Sequence, residues 1–287
     1  MGPNVGILVV QSAISRLGRI ANRAIRKGLA EMTPWDPSNY LRFSDERTRP
    51  AVDLASRVAL DAPEAVIDLG CGPGNSTQVL RMRWPSARVA GLDNSPEMIA
   101  AAREAHPGQE WILGSIEDWS ADAPYDLVFS NAALQWASDH VALTRRLFDQ
   151  VASGGALAFQ IPARDYSPVG SFIQDIAQDE AWASRMGGAL AELTIEEPEV
   201  YYDALASRAD SIDLWETEYH HVMETSSAIV DWISTTGLRP FLGALDNEDE
   251  KRRFVAMLSD RVAEAFSARA DGRVLFPFRR TFVIAYA

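Results

Sequence analysis

Cysteine is almost missing from this chain: of its 287 residues only Cys71 carries a thiol. No internal disulfide can form, so stability must come from a packed core, and such usage suits a reducing, cytoplasmic setting. Histidine is scarce as well. His106, His140, His220 and His221, taken with Cys71, show none of the spacings that hold a metal ion, so no metal is expected. His220 and His221 are neighbours in an expected strand and should point to opposite faces. No apolar run approaches the roughly 20 residues of a membrane-spanning helix, and internal repeats and low-complexity stretches are absent. Basic residues are outnumbered, 27 Lys and Arg against 40 Asp and Glu, for a net charge of −13. An acidic chain repels phosphate backbones, which argues against nucleic acid as a partner. An anionic small substrate would need a basic pocket set against the overall field.

What is present is ordinary globular composition, with 47% hydrophobic and 23% charged residues. The first 31 residues stand apart. They hold Arg16, Arg19, Arg23, Arg26 and Lys27 against the single acid Glu31, while the remainder holds 22 basic and 39 acidic residues, a net −17. Residues 1–31 are read as a basic leader, and three accounts of it are open: a start placed too far upstream of Met32, a disordered tail, or a targeting segment.

Beyond the leader, Asp45 to Leu60 reads as a helix with Pro50 in its first turn. Strands are expected at Val66–Leu69, Arg88–Asp93, Trp111–Gly114, Tyr125–Ser130 and Ala156–Ile161. The helices between them run from about Asn75 to Arg83, from a Ser95 N-cap with Pro96 at the first position, and from Asp139 to Val151. Ser153-Gly154-Gly155 should break the last of these. Strands alternating with helices predict an α/β fold, a doubly wound, mostly parallel sheet covered on both faces. The rhythm changes after Pro162. Residues from about 162 to 210 read as a helical cap inserted in a single domain spanning 32–287. A strand at Ser211–Tyr219, helices at Ser227–Thr236 and Asn247–Ala270, and a strand at Phe278–Tyr286 complete the chain.

The strongest local signal is the run from Val66 to Thr77, V-I-D-L-G-C-G-P-G-N-S-T. A strand ends in three alternating glycines and turns into a helix. Glycine lets the main chain approach a ligand closely, and in open α/β sheets ligands sit at the carboxyl ends of the strands. Asp68 stands at the strand tip. Asp93 closes the second strand, where a carboxylate can accept hydrogen bonds from two ribose hydroxyls. The glycine spacing is G-x-G-x-G, whereas the dinucleotide fingerprint is G-x-G-x-x-G, so a nicotinamide cofactor is disfavoured. No G-x-x-x-x-G-K-[ST] phosphate loop occurs. Cys71 reads as a small loop filler with no base near it in sequence.

The D-L-G-C-G-P-G-N-S-T run, followed by G-L-D-N-S-P-E-M, resembles the class I methyltransferases over about Val66 to Ile161. The resemblance implies a seven-stranded sheet and S-adenosyl-L-methionine as cofactor. It assigns Asp68, Gly70, Gly72, Gly74 and Asn75 to the cofactor loop, with the glycines on the methionine part. It assigns Asp93 to the ribose, Asn94 and Met98 to the adenine, Ser115 and Ile116 to the segment flanking the adenine, and Asn131 and Ala132 to the place beside cofactor and substrate. Within that class the chain resembles the trans-aconitate methyltransferases from about Met32 onward, through W-D-P-S-N-Y-L-R-F, D-E-R-T-R-P-A, A-L-Q-W, Y-Y-D, D-W-I and T-G-L-R-P. Residues 163–199 match more loosely.

That likeness implies a monomethyl ester formed on a small polycarboxylate. Candidate substrate-side residues are Tyr40, Gln135, Trp136, Tyr201, Tyr202 and Arg239, with His220 and Arg279 beside them; Tyr40 and Phe43 either close over the cofactor or simply pack the N-terminal helix. Arg239 follows the helix end at Gly237, where a cation also satisfies terminal carbonyls. A carboxylate acceptor is already ionised, so no general acid or base is expected, only positioning and exclusion of water. Two other readings are open: a methyltransferase of the same fold acting on another small molecule, and a non-catalytic cofactor-binding protein. The expected partner is thus a small molecule, not nucleic acid or membrane; the sequence does not set the oligomeric state, and a monomer is the favoured expectation.

Overall fold

Strand and helix alternate throughout the computed structural model, which describes residues 44–164, 166–192 and 195–287. All of these fall within one compact unit. The leader, Tyr40 and Phe43 lie outside the described residues. Helix α1 is Ser44–Arg57, so Pro50 sits in its second turn and not its first. Then follow β1 (Ala65–Leu69), α2 (Asn75–Arg83), β2 (Arg88–Asp93), α3 (Pro96–Ala105), β3 (Glu110–Leu113) and β4 (Tyr125–Asn131). A 3-10 turn at Leu134–Trp136 leads to α4 (His140–Phe148), β5 (Val151–Pro162), α5 (Pro168–Ala177), α6 (Gly187–Glu192) and α7 (Pro198–Leu205). The last elements are β6 (Ser211–Met223), α8 (Ser226–Ser234), α9 (Arg239–Gly243), α10 (Glu248–Ala265) and β7 (Val274–Tyr286). Ser95 caps α3 by accepting from the Met98 amide, with Pro96 in the first turn, as expected.

The seven strands form one sheet in the order β3-β2-β1-β4-β5-β7-β6. Strands β1 to β5 pair in parallel, and β7 runs antiparallel to both β5 and β6. The expected doubly wound, mostly parallel sheet is therefore what forms. Strand order reverses between β1 and β4, and the crevice at their carboxyl ends is where ligands bind in such sheets.

Alternation along the strands sends successive side chains to opposite faces. Val66 joins Leu127, Phe129, Ala158 and Phe282 under α1 and α2. Ile67 and Leu69 join Val128, Leu157 and Phe159 under α4 and α7. Gly154 does not break the chain before β5: it adopts φ +78° inside a strand that already begins at Val151, and the register against β4 shifts there.

Helices α5, α6 and α7 lie between β5 and β6, over the range of the insertion expected at about 162–210, and later helices join them. Strands β6 and β7 are 13 residues each, longer than their sequence patterns suggested. Their far ends carry Met223, Val274, Phe276 and Phe278, which pack against a helical layer drawn from α5 and from the later helices α8, α9 and α10. Helix α7 instead lies against the sheet with α4, burying Tyr201 and Leu205 there. The long hairpin would expose an apolar surface without this cover, which is why helices from both sides of β6 converge on it. Among the described residues, no helix is long and apolar enough to cross a membrane.

Candidate active site

The cofactor loop folds as the glycine spacing requires. Gly70, Gly72 and Gly74 all take positive φ, at +74°, +54° and +99°. The amides of Gly70 and Cys71 both donate to the Leu92 carbonyl, at 2.7 and 3.0 Å, pinning the loop to β2. A Cβ at Gly70 would stand 2.2 Å from that of Ala133, so the end of β1 and the turn after β4 meet at a spacing that only glycine permits. A Cβ at Gly72 would meet nothing within 4 Å, which leaves the loop open toward a ligand.

Two carboxylates organise this loop from below and beside it. Asp93, at the end of β2, accepts from the Gly72 amide at 2.9 Å through one oxygen and from the Ser95 amide at 2.9 Å through the other. Burial raises its pKa, and the amides of Ser95, Gly72 and Asn94 pull it back down. Asp68 is fully buried. One of its oxygens accepts from Ser76 Oγ at 2.7 Å and Thr77 Oγ1 at 2.6 Å, holding the first turn of α2. Its other oxygen has no hydrogen-bond partner among the described residues. Burial pushes this carboxyl up to about 6, against the pull of the two hydroxyls, with a smaller upward push from Asp93. Cys71 packs with Ile99, Ala102 and Trp111, and burial pushes its thiol up, as suits a loop filler.

The remaining cofactor-side candidates gather around the same edge. Asn75 opens α2, with its amide nitrogen 3.5 Å from Thr48 Oγ1. Asn94 is exposed and Met98 buried in the next turn. Ile116 Cδ1 lies 3.4 Å from the position of a Gly70 Cβ, and Ser115 Oγ accepts from the Glu117 amide. Asn131 Oδ1 accepts from Gln160 Nε2 at 2.6 Å. Ala132 holds φ +55°, rare for a residue with a Cβ, and its amide donates to the Gln160 carbonyl at 2.9 Å. Such strain is held in place by its surroundings and tends to mark functional sites.

The substrate-side candidates fare unevenly. Gln135 is buried and donates to the Ala132 carbonyl at 2.8 Å, and Trp136 is half-buried beside it in the 3-10 turn. Arg239 is not in a loop but starts α9, half-buried. Tyr201 and Tyr202 are not brought to the cofactor loop. Tyr201 is in the core under α7, edge-on to Phe159, with its hydroxyl 2.5 Å from His140 Nδ1. Tyr202 is 51% exposed. Consecutive residues on a helix point about 100° apart, so a helix packed on the sheet buries one tyrosine and frees the next. His220 is exposed and His221 buried, on opposite faces as expected. Arg279 stands 3.7 Å from Glu216 on the outer side of the hairpin.

The sequence reading missed a polar row on the α1 face. Register places Asn131 beside Gln160, and Pro162 beside Arg280, on that face. Arg280 donates to Gln160 Oε1 at 3.1 Å. Arg47, near the start of α1, donates to Thr235 Oγ1 at 2.7 Å. Parity along β7, fixed by buried Phe278 and Phe282 on either side, was the one signal for Arg280 over Arg279.

A seven-stranded sheet of this order, with an open glycine loop under a ribose-competent carboxylate and a spare buried carboxylate oxygen, defines a class I S-adenosylmethionine-dependent methyltransferase. A family model described as a methyltransferase domain matches residues 66–155. A solved putative methyltransferase of Bacillus halodurans has the same fold, with a TM-score of 0.53 at 12% identity over 83% of this chain and 98% of that one. A trans-aconitate 2-methyltransferase of Azoarcus sp. is 45% identical over 88% of this chain and 99% of its own length. One from Methylobacterium radiotolerans is 44% identical over 88% of this chain and 98% of its own. The chain belongs to the trans-aconitate 2-methyltransferase family.

The raised pKa of Asp68 sets a pH test. Its folded value, about 6, lies above the 3.8 of an ordinary aspartate. The group therefore favours the folded state when protonated, an effect fully present below the unfolded pKa and lost as pH rises through about 6. In the cofactor-free protein, the stability of wild type relative to Asp68→Asn should rise as pH falls from 7 to 5. Urea midpoints that differ by the same amount at both ends would refute this.

Proposed function

We propose that this enzyme transfers the methyl group of S-adenosylmethionine to one carboxylate oxygen of a small polycarboxylate such as trans-aconitate, releasing a monomethyl ester. The observation that carries this reading is the extent of the likeness. It covers 99% of the Azoarcus enzyme and so includes the acceptor side as well as the cofactor loop. The cytoplasm is the proposed setting, in keeping with a lone buried thiol.

Bound, the cofactor supplies an electrophilic methyl on a sulfonium. Transfer would join that methyl to an already ionised carboxylate oxygen and leave the carbon–sulfur electron pair on sulfur, so no proton need move. The chain's residues bind, align and exclude water. Asp93 takes the ribose hydroxyls, with Asn94 and Met98 toward the adenine and Ser115 and Ile116 flanking it. Gly70, Gly72, Gly74 and Asn75 line the methionine part, and the free oxygen of Asp68 suits its ammonium group. Asn131, Ala132, Gln135 and Trp136 border the reacting centre, and Arg239 binds the acceptor. Alignment of two bound reactants contributes roughly 7–11 kcal/mol in favourable cases. Charge is neutralised in the transition state, so a dry site favours the reaction.

Residues 32–287 are proposed as the catalytic domain and residues 1–31 as dispensable for catalysis. A chain begun at Met32 should keep its specific activity, and a large loss would reject the division. Asp93→Ala should weaken binding of the demethylated cofactor by roughly 1.5–3 kcal/mol, the scale of a hydrogen bond to a charged group. Unchanged affinity by calorimetry would remove Asp93 from the ribose. Ester formation should be seen on trans-aconitate when it is assayed beside cis-aconitate, isocitrate and citrate. Arg239→Ala should raise KM for the preferred acid with cofactor affinity nearly unchanged, and Arg239→Lys should recover part of the loss. If no acid in the panel is turned over, the substrate assignment fails. If Arg239→Ala is indistinguishable from wild type, only that residue's role does.

A further inference from the structure

Two buried arginines stand where β6, β7, α1 and α8 meet, an arrangement uncommon for so acidic a chain. Arg280 and Arg47 are only 4% and 6% exposed. The Arg280 guanidinium lies 4.6 Å from the centre of the Phe278 ring and that of Arg47 5.3 Å from the centre of Trp232. Those two rings are 6.3 Å apart, and His221 lies 4.7 Å from Trp232. Arg49, exposed, covers Tyr219 at 5.0 Å, and Tyr219 stacks with His221 at 6.1 Å. Burial first, and then Arg280 and Arg49, push His221 down to about 4, so the imidazole is neutral at pH 7. Asp53, on α1, accepts from the Tyr219 hydroxyl at 2.6 Å. Glu216 and Glu218 belong to the opposite face of β6 by strand parity.

This cluster is tied to the cofactor edge. Arg280 holds Gln160, Gln160 holds Asn131, and Asn131 precedes Ala132 and Ala133 over the glycine loop. Strand β7 is two positions from β4 in the sheet, roughly 10 Å at the usual strand spacing. A small polycarboxylate covers part of such a span, and the length of an arginine side chain covers the rest. Arg47 reaches Thr235, four residues before Arg239, so the start of α1 meets the corner between α8 and α9 that carries the expected substrate arginine.

We propose, resting on the polycarboxylate reading above, that Arg280 and Arg47, with Arg49 at the rim, form the wall that takes the non-reacting carboxylates of the acceptor. Arginine suits this position because its planar fork grips a carboxylate through two bonds and stays ionised when buried. Gln160 is a positioning residue: it orients Arg280 and, through Asn131, couples the acceptor wall to the turn after β4. Fixed cations at such a wall would also let a chain of net charge −13 admit a multiply charged anion.

The test measures KM and kcat on trans-aconitate, together with calorimetric binding of S-adenosylhomocysteine alone and of tricarballylate to that complex. Wild type, Arg280→Gln, Arg47→Gln and Gln160→Met are compared. The two arginine variants should lose roughly tenfold to a hundredfold in KM and in tricarballylate affinity, the scale of a lost charge-assisted hydrogen bond. Their S-adenosylhomocysteine affinity should stay within about twofold of wild type. Arg280→Lys should restore part of the KM loss, because a point charge replaces the fork. Gln160→Met should lower kcat more than it raises KM. Unchanged KM in both arginine variants, or equal losses of acid and S-adenosylhomocysteine binding, would overturn the wall. Should Arg280→Gln fail to fold, Arg280→Lys and Arg47→Gln decide by the rise in melting temperature that tricarballylate produces, which must be smaller than in wild type. If wild type binds tricarballylate but methylates no acid, the proposed reaction fails and the anion site stands. If it methylates trans-aconitate with the variants unimpaired, the reverse holds.

Discussion

The close approach of β1 and β4 at their carboxyl ends is the constraint on which the rest of the site depends. Gly70 sits where a Cβ would overlap Ala133, and its φ of +74° is one that side chains resist. Because that contact is made, the loop can hydrogen-bond to the Leu92 carbonyl on one side while the turn after β4 closes over it on the other. The strained Ala132 belongs to the same junction, held by Gln160 through its amide and by Gln135 through its carbonyl. Loosening this junction would separate the half of the site that faces the cofactor from the half that faces the acceptor.

The two halves are built differently. On the cofactor side the groups are mainly backbone amides, arranged by Asp93 and Asp68, whose carboxylates act within a short stretch of chain. On the proposed acceptor side the groups are side chains from α1, β4, β5 and β7, those of the three strands on one face of the sheet. The helical layer of α5, α8, α9 and α10 buries the far end of the β6–β7 hairpin. That burial keeps Phe276, Phe278 and Trp232 from water and so lowers the local dielectric around Arg47 and Arg280. Charge interactions strengthen in such surroundings. The acidic exterior and the basic interior are therefore compatible, since surface charges are screened over about 10 Å and buried ones much less so.

Much of this was legible along the chain. The Val66–Thr77 run, the Ser95 cap with Pro96, and the opposite faces of His220 and His221 follow from backbone geometry and strand parity that act over a few residues. The length of the β6–β7 hairpin was less legible, because Pro277 and the paired histidines blur its alternation. What the helices between β5 and β6 pack on was not legible either: amphipathic helices announce that they pack, not what they pack on. Tyr201 and Tyr202 matched a family pattern, yet one belongs to the core and the other to solvent.

By itself, the sequence determined the parallel core, the glycine loop and the carboxylate after β2, because each depends on neighbours in the chain. Only tertiary structure decided what the buried arginines meet. Arg47 finds Thr235 across 188 positions, and Arg280 finds Gln160 across 120. Partners so far apart are joined by strand order and register, and register is set by burying one whole face at once. No window of sequence contains that information.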